Sequence, residues 1–270
     1  KPGILFKNKK AYVQYEPMGV IGIISPWNYP LATPMKGTIE GLLAGNNIVL
    51  KPSEFTPLTM KIIKKLWDEN IEYKNAFQIV NGLGDIGSIL VQSNSTDVIS
   101  FTGSTEVGLQ IAKICSTTLK PCILELGGKD PMIILKDASI KRSVESALYA
   151  GLFNAGQTCI SAKRFLFESS IFDQAMKYFE QKSKAFLTFG DPLNPKTTIG
   201  PMARQNLQEI VLKQIKEANL NSDDIKFKYS PNNKTGFFVE PIIIDGRNLS
   251  SNNTLFEEEI FESEITDISA

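Results

Sequence analysis

The chain has 270 residues, its 29 lysines and arginines balance 29 aspartates and glutamates, and it contains no histidine. At about 150 residues per domain, this length predicts two domains, and 42% hydrophobic with 21% charged residues is typical of a globular protein. A neutral chain has no basic field for nucleic acid or an anionic membrane, and no apolar run approaches the about 18 residues of a membrane span. Without histidine, Ser-His and Cys-His dyads and the usual zinc sites are excluded. We therefore predict no metal, and any general base must be Asp, Glu, Lys, Tyr or water.

The cysteines and the two ends of the chain indicate its setting. Cys115, Cys122 and Cys159 are too few and too scattered for a disulfide framework. Their odd number suits a reducing compartment, and we predict a cytoplasmic protein. Because the chain starts at Lys1 and ends in a polar run over residues 262–270, we expect a piece of a longer protein.

In the first half, short apolar runs alternate with helical patterns, which predicts a doubly wound parallel sheet covered on both faces. The predicted strands are residues 19–25, 47–51, 76–80, 97–101 and 121–125. One helix should begin at Pro57 after the N-cap residue Thr56. Its predicted buried face consists of Leu58, Ile62 and Leu66. A second helix should begin near Thr105, and its predicted buried face consists of Val107, Ile111 and Ile114.

The second half repeats this alternation less regularly, and the domain boundary is predicted at Gly127-Gly128. The predicted strands are 132–135 and 164–167, and the predicted helices are 139–153, 171–186 and 205–218. Polar stretches predict loops at 191–198, 219–226, 230–236 and 248–254.

Two glycine-containing turns are candidates for binding a dinucleotide. Residues 82–87 match the Gly-x-Gly-x-x-Gly fingerprint after a strand, but a flexible strand-to-helix turn explains this pattern equally well. The second turn contains Gly103 and Ser104, between a strand and a helix, where free N–H groups and the positive helix end would meet a diphosphate. Its alternative interpretation is a capped helix start.

Charged residues follow two of the predicted strands. Lys51 and Glu54 come where the second strand ends, a position that suits hydrogen bonds to ribose hydroxyls, although a solvated charge pair is the commoner case. Glu125 ends the fifth strand before two glycines, so its carboxylate can face a crevice and act on water, unless it pairs with Lys129.

The loop at 154–161 places a thiol among small residues. A free cysteine is usually buried and inert, and Cys115 and Cys122 fit that description because they adjoin a predicted helix and strand. Cys159 fits it least, since it lies in a loop that contains Gly156. With no histidine, backbone N–H groups, a cation or a helix end would have to activate it.

Five motifs in this order and spacing resemble the NAD(P)-dependent aldehyde dehydrogenase superfamily. They are Pro26-Trp27-Asn28-Tyr29-Pro30, Lys51-Pro52-Ser53-Glu54, Phe101-Thr102-Gly103-Ser104, Glu125-Leu126-Gly127-Gly128-Lys129 and Gly156-Gln157-Thr158-Cys159. The resemblance covers essentially the whole chain, which is similar to the central portion of the longer family members. It implies a Rossmann-type cofactor domain at 1–126, lacking its start, and a second α/β catalytic domain at 127–270, lacking its end.

The resemblance implies a small aldehyde as substrate and assigns three catalytic residues. Cys159 would be the nucleophile, Asn28 and the Cys159 N–H would hold the oxyanion, and Glu125 would activate water. Full-length relatives would be homo-oligomers. Two alternatives remain open, a CoA-acylating enzyme and a truncated, inert fragment. Glu125 favours hydrolysis, whereas Glu262-Ser263, in place of the family's Gly-Pro, motivates the fragment hypothesis.

The resemblance also implies a cofactor, NAD or NADP. Lys51 and Glu54 would contact the adenosine ribose, and Gly103 and Ser104 the diphosphate. Glu259 would bind the nicotinamide ribose, and Phe261 would pack near the nicotinamide. The remaining predicted cofactor-binding residues are Ile24, Trp27, Ser53, Gly82, Phe101 and Leu126. A carboxylate at Glu54 would repel a 2′-phosphate, which favours NAD.

Overall fold

A computed structural model describes residues 8–228 and 236–261, and residues 264–269 as backbone. The chain divides into two compact units, Lys1–Leu126 and Gly127–Ala270. Each unit contains one five-stranded sheet with helices packed on it, so the predicted α/β class is confirmed. Within the described ranges, none of the helices is long and apolar enough to cross a membrane.

The first unit is a parallel sheet with the strand order β3-β2-β1-β4-β5. Its strands are β1 (Val20–Ile24), β2 (Asn47–Lys51), β3 (Phe77–Ile79), β4 (Val98–Thr102) and β5 (Cys122–Glu125). Its helices are α1 (Ala32–Leu43), α2 (Pro57–Asn70), α3 (Gly84–Gln92) and α4 (Thr105–Ser116). The order reverses between β1 and β4, and such a switch point is where open parallel sheets bind ligands.

One helix of this unit buries a different face from the predicted one, and a second helix buries the predicted face only in part. In α2 the core receives Met60, Ile63 and Trp67, and the predicted face points to solvent. The exposed residues are Leu58, Ile62 and Leu66. In α4, Ile111 is buried and Ile114 packs against the core as predicted, whereas Val107 is exposed and Gly108 and Cys115 are buried instead. The α2 prediction was wrong because its sequence carries two adjacent apolar stripes, and four-residue spacing alone does not select between them.

The second unit has the strand order β6-β7-β10-β9-β8, in which only β8 runs antiparallel to its neighbour. Its strands are β6 (Asp130–Ile134), β7 (Ala162–Phe167), β8 (Ile225–Lys228), β9 (Ile242–Asp245) and β10 (Glu264–Ser269). Its helices are α5 (Ile140–Leu152), α6 (Phe172–Phe186), α7 (Gln205–Glu217) and α8 (Thr254–Glu257). Phe165, Phe167 and Phe179 are fully buried at the centre of its core.

Three strands of the second unit differ from the sequence-based expectation. β8 overlaps the loop predicted at 219–226, β9 was not predicted, and β10 lies in the terminal polar run. The backbone of β10 pairs with β7 on one side and with β9 on the other. Most of the loop predicted at 230–236 lies outside the described residues. Glu262-Ser263 lies outside them as well.

Candidate active site

In the first unit, four predicted site residues lie at the carboxyl edge of the sheet. Ile24 at the end of β1 is in register with Lys51 on β2 and with Phe101 on β4. Glu125 ends β5 opposite Thr102, and its carbonyl accepts a hydrogen bond of 3.1 Å from the Gly103 N–H. The parallel pairing thus brings these residues to one edge, where ligands bind in open α/β sheets.

Lys51 is a buried cation at that edge. Its side chain is 5% exposed, and its Nζ lies 3.7 Å from the Glu54 carboxylate and 3.3 Å from the Pro52 carbonyl. Lys51 and Glu54 therefore form the ion pair that was the alternative to ribose binding. The pair is not fully solvated, because Lys51 is buried and only Glu54 reaches solvent. Ser53 is also buried, and its Oγ accepts the N–H of Phe55 at 3.3 Å. The turn after β2 therefore holds an ammonium group and a carboxylate in fixed positions.

The start of α4 has the features that an anionic ligand requires. Ser104 is the N-cap residue, and its Oγ accepts the Val107 N–H at 3.4 Å, so the capped-start interpretation is observed. A Cβ at Gly103 would lie 2.5 Å from the Phe101 ring, so only glycine allows the ring to pack there. The N–H groups of the first turn and the positive helix end suit a diphosphate.

The Gly82 turn is a strand-to-helix connection. A Cβ at Gly82 would lie less than 3.0 Å from the Ile86 side chain, and α3 begins two residues later at Gly84. Lys51 passes along α3, since a Cβ at Gly87 would lie 3.6 Å from its Cδ. The fingerprint pattern therefore marks close packing of α3.

The remaining predicted residues of the first unit lie in the loop after β1 and at the end of β5. Trp27 and Asn28 are partly buried, and Asn28 Oδ1 accepts the Tyr29 N–H at 3.1 Å. An amide whose oxygen accepts a hydrogen bond keeps its NH₂ group as a donor. Leu126 packs onto α4 at Gly108, where a Cβ would lie 2.5 Å from it.

In the second unit, a strained turn presents Cys159. Asn154, Ala155 and Gly156 all have positive φ angles, of 56°, 54° and 70°. The Gln157 side chain holds this turn, because its Nε2 donates to the Asn154 carbonyl at 3.0 Å and its Oε1 accepts the Ala203 N–H at 2.9 Å. Gln157 belongs to one of the five motifs, but its role in holding the turn was not predicted from the sequence.

The three thiols have different surroundings. Cys159 is free and partly exposed. Cys115 is free but 1% exposed, and burial raises the pKa of its thiol, with a further increase from neighbouring Cys122. A buried thiol with a raised pKa is a poor nucleophile, so Cys159 is the better candidate.

Glu259 lies against the backbone of Gly127-Gly128. Its Oε1 accepts the Gly128 N–H at 3.1 Å, and a Cβ at Gly127 would lie less than 3.0 Å from the carboxylate. A Cβ at Gly128 would lie 3.4 Å from the Cys159 carbonyl, so these backbones are close. Burial raises the pKa of Glu259. The hydrogen bond from the Gly128 N–H and the charges of Lys163 and Lys129 lower it, but by less. Phe261 is partly buried.

Comparisons with known proteins identify relatives over nearly the whole chain. The model of the aldehyde dehydrogenase family matches residues 2–263. D-glyceraldehyde dehydrogenase (NADP(+)) of Picrophilus torridus is 37% identical, over 94% of this chain and 52% of that protein. Betaine aldehyde dehydrogenase of Bacillus subtilis is also 37% identical, over 93% of this chain and 52% of that protein. The NAD⁺ complex of an aldehyde dehydrogenase from Bacillus cereus has a TM-score of 0.88 at 29% identity, over 95% of this chain and 52% of that one. The chain thus spans about half the length of the relatives it matches.

Proposed function

Since the chain belongs to the aldehyde dehydrogenase family, we propose that the protein oxidises a small aldehyde to a carboxylic acid with NAD or NADP as the hydride acceptor. The observation that carries this proposal is the turn at 154–159, which holds a partly exposed thiol on a strained, hydrogen-bonded backbone. Strained backbone of this kind is concentrated at functional sites.

The residues of the first unit fit a dinucleotide. Three kinds of group support this assignment: the N-terminal amides of α4 for the diphosphate, the buried ammonium of Lys51 and the carboxylate of Glu54 for ribose hydroxyls. When bound, the nicotinamide supplies the hydride acceptor. Glu54 favours NAD, because a carboxylate at the ribose would repel a 2′-phosphate. The Picrophilus torridus relative, named for NADP(+), keeps NADP within the proposal.

The proposed chemistry needs three side chains and no histidine. The thiolate of Cys159 adds to the aldehyde carbon, and the carbonyl electron pair moves to the oxygen of the resulting thiohemiacetal anion. The Asn28 amide and the Cys159 N–H donate to the negative oxygen, and one such donor is typically worth about 3 kcal/mol. Loss of hydride leaves a thioester on Cys159. Glu125 then removes a proton from the water that hydrolyses the thioester, so one hard oxidation is divided into two easier steps.

Matched cysteine variants test the nucleophile. We expect Cys159→Ser to abolish NADH formation with a panel of small aldehydes and to leave cofactor binding intact, measured by the fluorescence of added NADH. Cys115→Ser, at a buried thiol, is the control and should retain turnover. Full activity of the Cys159 variant would refute its role. An inactive parent chain would support the inert-fragment alternative instead.

A second variant tests the base and the fate of the thioester. Glu125→Gln should give a burst of one NADH per site without steady turnover, because hydrolysis of the thioester stalls. Normal turnover of this variant would place the base elsewhere. Formation of an acyl-CoA when CoA is added, without carboxylic acid, would favour the CoA-acylating alternative.

The setting of the enzyme is part of the proposal. All three cysteines are free, which agrees with a reducing compartment such as the cytoplasm. Full-length relatives are expected to form homo-oligomers, and size-exclusion chromatography with light scattering would measure whether this protein does.

A further inference from the structure

Lys163 is a buried cation for which the proposed chemistry has no use. It lies in β7 with 2% of its surface exposed. Lysine is almost never fully buried unless its ammonium group is paired. Its Nζ donates a hydrogen bond of 2.8 Å to the carbonyl of Gly156. A lysine is therefore kept inside the second unit with its charge directed at the turn that precedes Cys159.

The Gly156 carbonyl is one of the points at which that turn is held. It accepts two hydrogen bonds, from the Thr158 N–H at 2.8 Å and from Lys163 at 2.8 Å. Asn154 and Ala155, which precede it, are held in the left-handed region that favours glycine. Such a conformation persists only where the surroundings over-determine it. Lys163 supplies one of these restraints from a rigid strand.

Glu259 lies within electrostatic reach of the same ammonium group. Lys163 and Lys129 favour its ionised form, Asp130 opposes it, and the Gly128 N–H binds its Oε1 at 3.1 Å. The cation thus faces the turn carbonyl and is attracted by a carboxylate that is itself anchored to the backbone. These two interactions leave Lys163 little freedom to change its position.

We propose that Lys163 is a positioning residue for Cys159, which it holds in place through the Gly156 carbonyl. The inference rests on the proposed function of Cys159 as the nucleophile. Lys163 touches no reacting atom; its effect is to keep the sulfur and the Cys159 N–H in one arrangement. A displacement of about 1 Å at a reacting group can cost about 100-fold in rate.

The test compares three lysine variants. Lys163→Met removes the donor, Lys163→Arg keeps donors and charge, and Lys177→Met changes an exposed lysine on α6 as the matched control. Hydrogen exchange followed by mass spectrometry reports the peptide that covers residues 154–158. Steady-state kinetics with an aldehyde and NAD separates kcat from KM.

We expect Lys163→Met to raise amide exchange at 154–158 at least about tenfold and to lower kcat about 10- to 100-fold, with a much smaller change in the KM for the aldehyde. Lys163→Arg should restore most of the protection and of kcat, and Lys177→Met should match the parent. Unaltered exchange at 154–158, or an equal rise throughout the second unit, would overturn the proposal. If Lys163→Met does not fold, Lys163→Gln takes its place, with the same expectations.

Hydrogen exchange also separates this inference from the proposed function. If the parent chain shows no turnover, and Lys163→Met still loses protection only at 154–158, the proposed enzymatic function fails. The inference that Lys163 holds the turn is then kept. A parent that turns over, with a Lys163→Met variant of equal kcat, would retain the enzyme and refute the positioning role.

Discussion

Replacing Gly127 with alanine should expel the Glu259 carboxylate from its place beside the backbone. A Cβ at position 127 would lie less than 3.0 Å from both carboxylate oxygens and from Cδ of Glu259, whereas ordinary contact begins at 3.4 Å. The side chain must therefore move. In doing so it gives up the 3.1 Å hydrogen bond from the Gly128 N–H.

The free energy of that hydrogen bond sets the expected loss. A hydrogen bond to a charged acceptor contributes about 1.5–3 kcal/mol, and for a partly buried carboxylate we take about 2 kcal/mol. With a urea m-value of about 2 kcal/mol/M, the unfolding midpoint of the second unit should fall by about 1 M. Trp27 and Trp67 are the two tryptophans and both lie in the first unit. Their fluorescence transition is therefore an internal control that should not shift, while circular dichroism follows both units.

A double-mutant cycle separates the clash from any other effect of alanine. Glu259→Ala removes the carboxylate and its hydrogen bond, so Gly127→Ala in that background should change the free energy of unfolding by less than about 0.5 kcal/mol. If Gly127→Ala costs the same in both backgrounds, the carboxylate is not what excludes a side chain at position 127, and the reasoning fails.

Two further predictions concern a titrating group and a helix face. Burial raises the pKa of Glu259 above its ordinary 4.5, so the folded state binds this proton more tightly than the unfolded chain. The stability it contributes is full below about pH 4.5 and is lost as the pH rises through the raised pKa. Urea unfolding between pH 4 and 7 should show that Glu259→Gln lacks this decline, and identical pH profiles would contradict the assignment. Met60→Ala should lower the free energy of unfolding of the first unit by about 2–5 kcal/mol, whereas Leu58→Ala, at a side chain 69% exposed, should cost less than about 0.5 kcal/mol. Equal losses, read from tryptophan fluorescence, would contradict this assignment of the buried face of α2.

The sequence was most informative where local pattern and tertiary structure agree. Strands with continuous Val, Ile and Leu residues, such as β2, can be predicted from the local sequence alone. Five such strands separated by helices predicted a parallel sheet. In α5, within the helix predicted at 139–153, Val144, Ala147 and Leu148 form one apolar stripe in the sequence, and all three are buried. The α2 face failed because Met60, Ile63 and Trp67 form a second stripe of equal quality, and only the position of β3 decides between them.

Contacts between distant residues lay beyond sequence reasoning. The hydrogen bond between Gly128 and Glu259 joins residues 131 positions apart, and neither residue type predicts the other. Lys163 lies just before the strand predicted at 164–167, and its residue type does not distinguish a buried lysine from an exposed one. The polar run at β10 has no apolar pattern, yet its backbone pairs on both sides.

The central position of β10 in the second sheet determines when that sheet can be completed during translation. Residues 264–269 form the middle strand and separate β6 and β7 from β9 and β8. A ribosome makes β6, β7, β8 and β9 first, and each half-sheet then exposes an unpaired edge until the later segment emerges from the exit tunnel. Nascent chains stalled just before and just after that point should therefore differ in resistance to protease, with the protected core of the second unit arising only in the longer one.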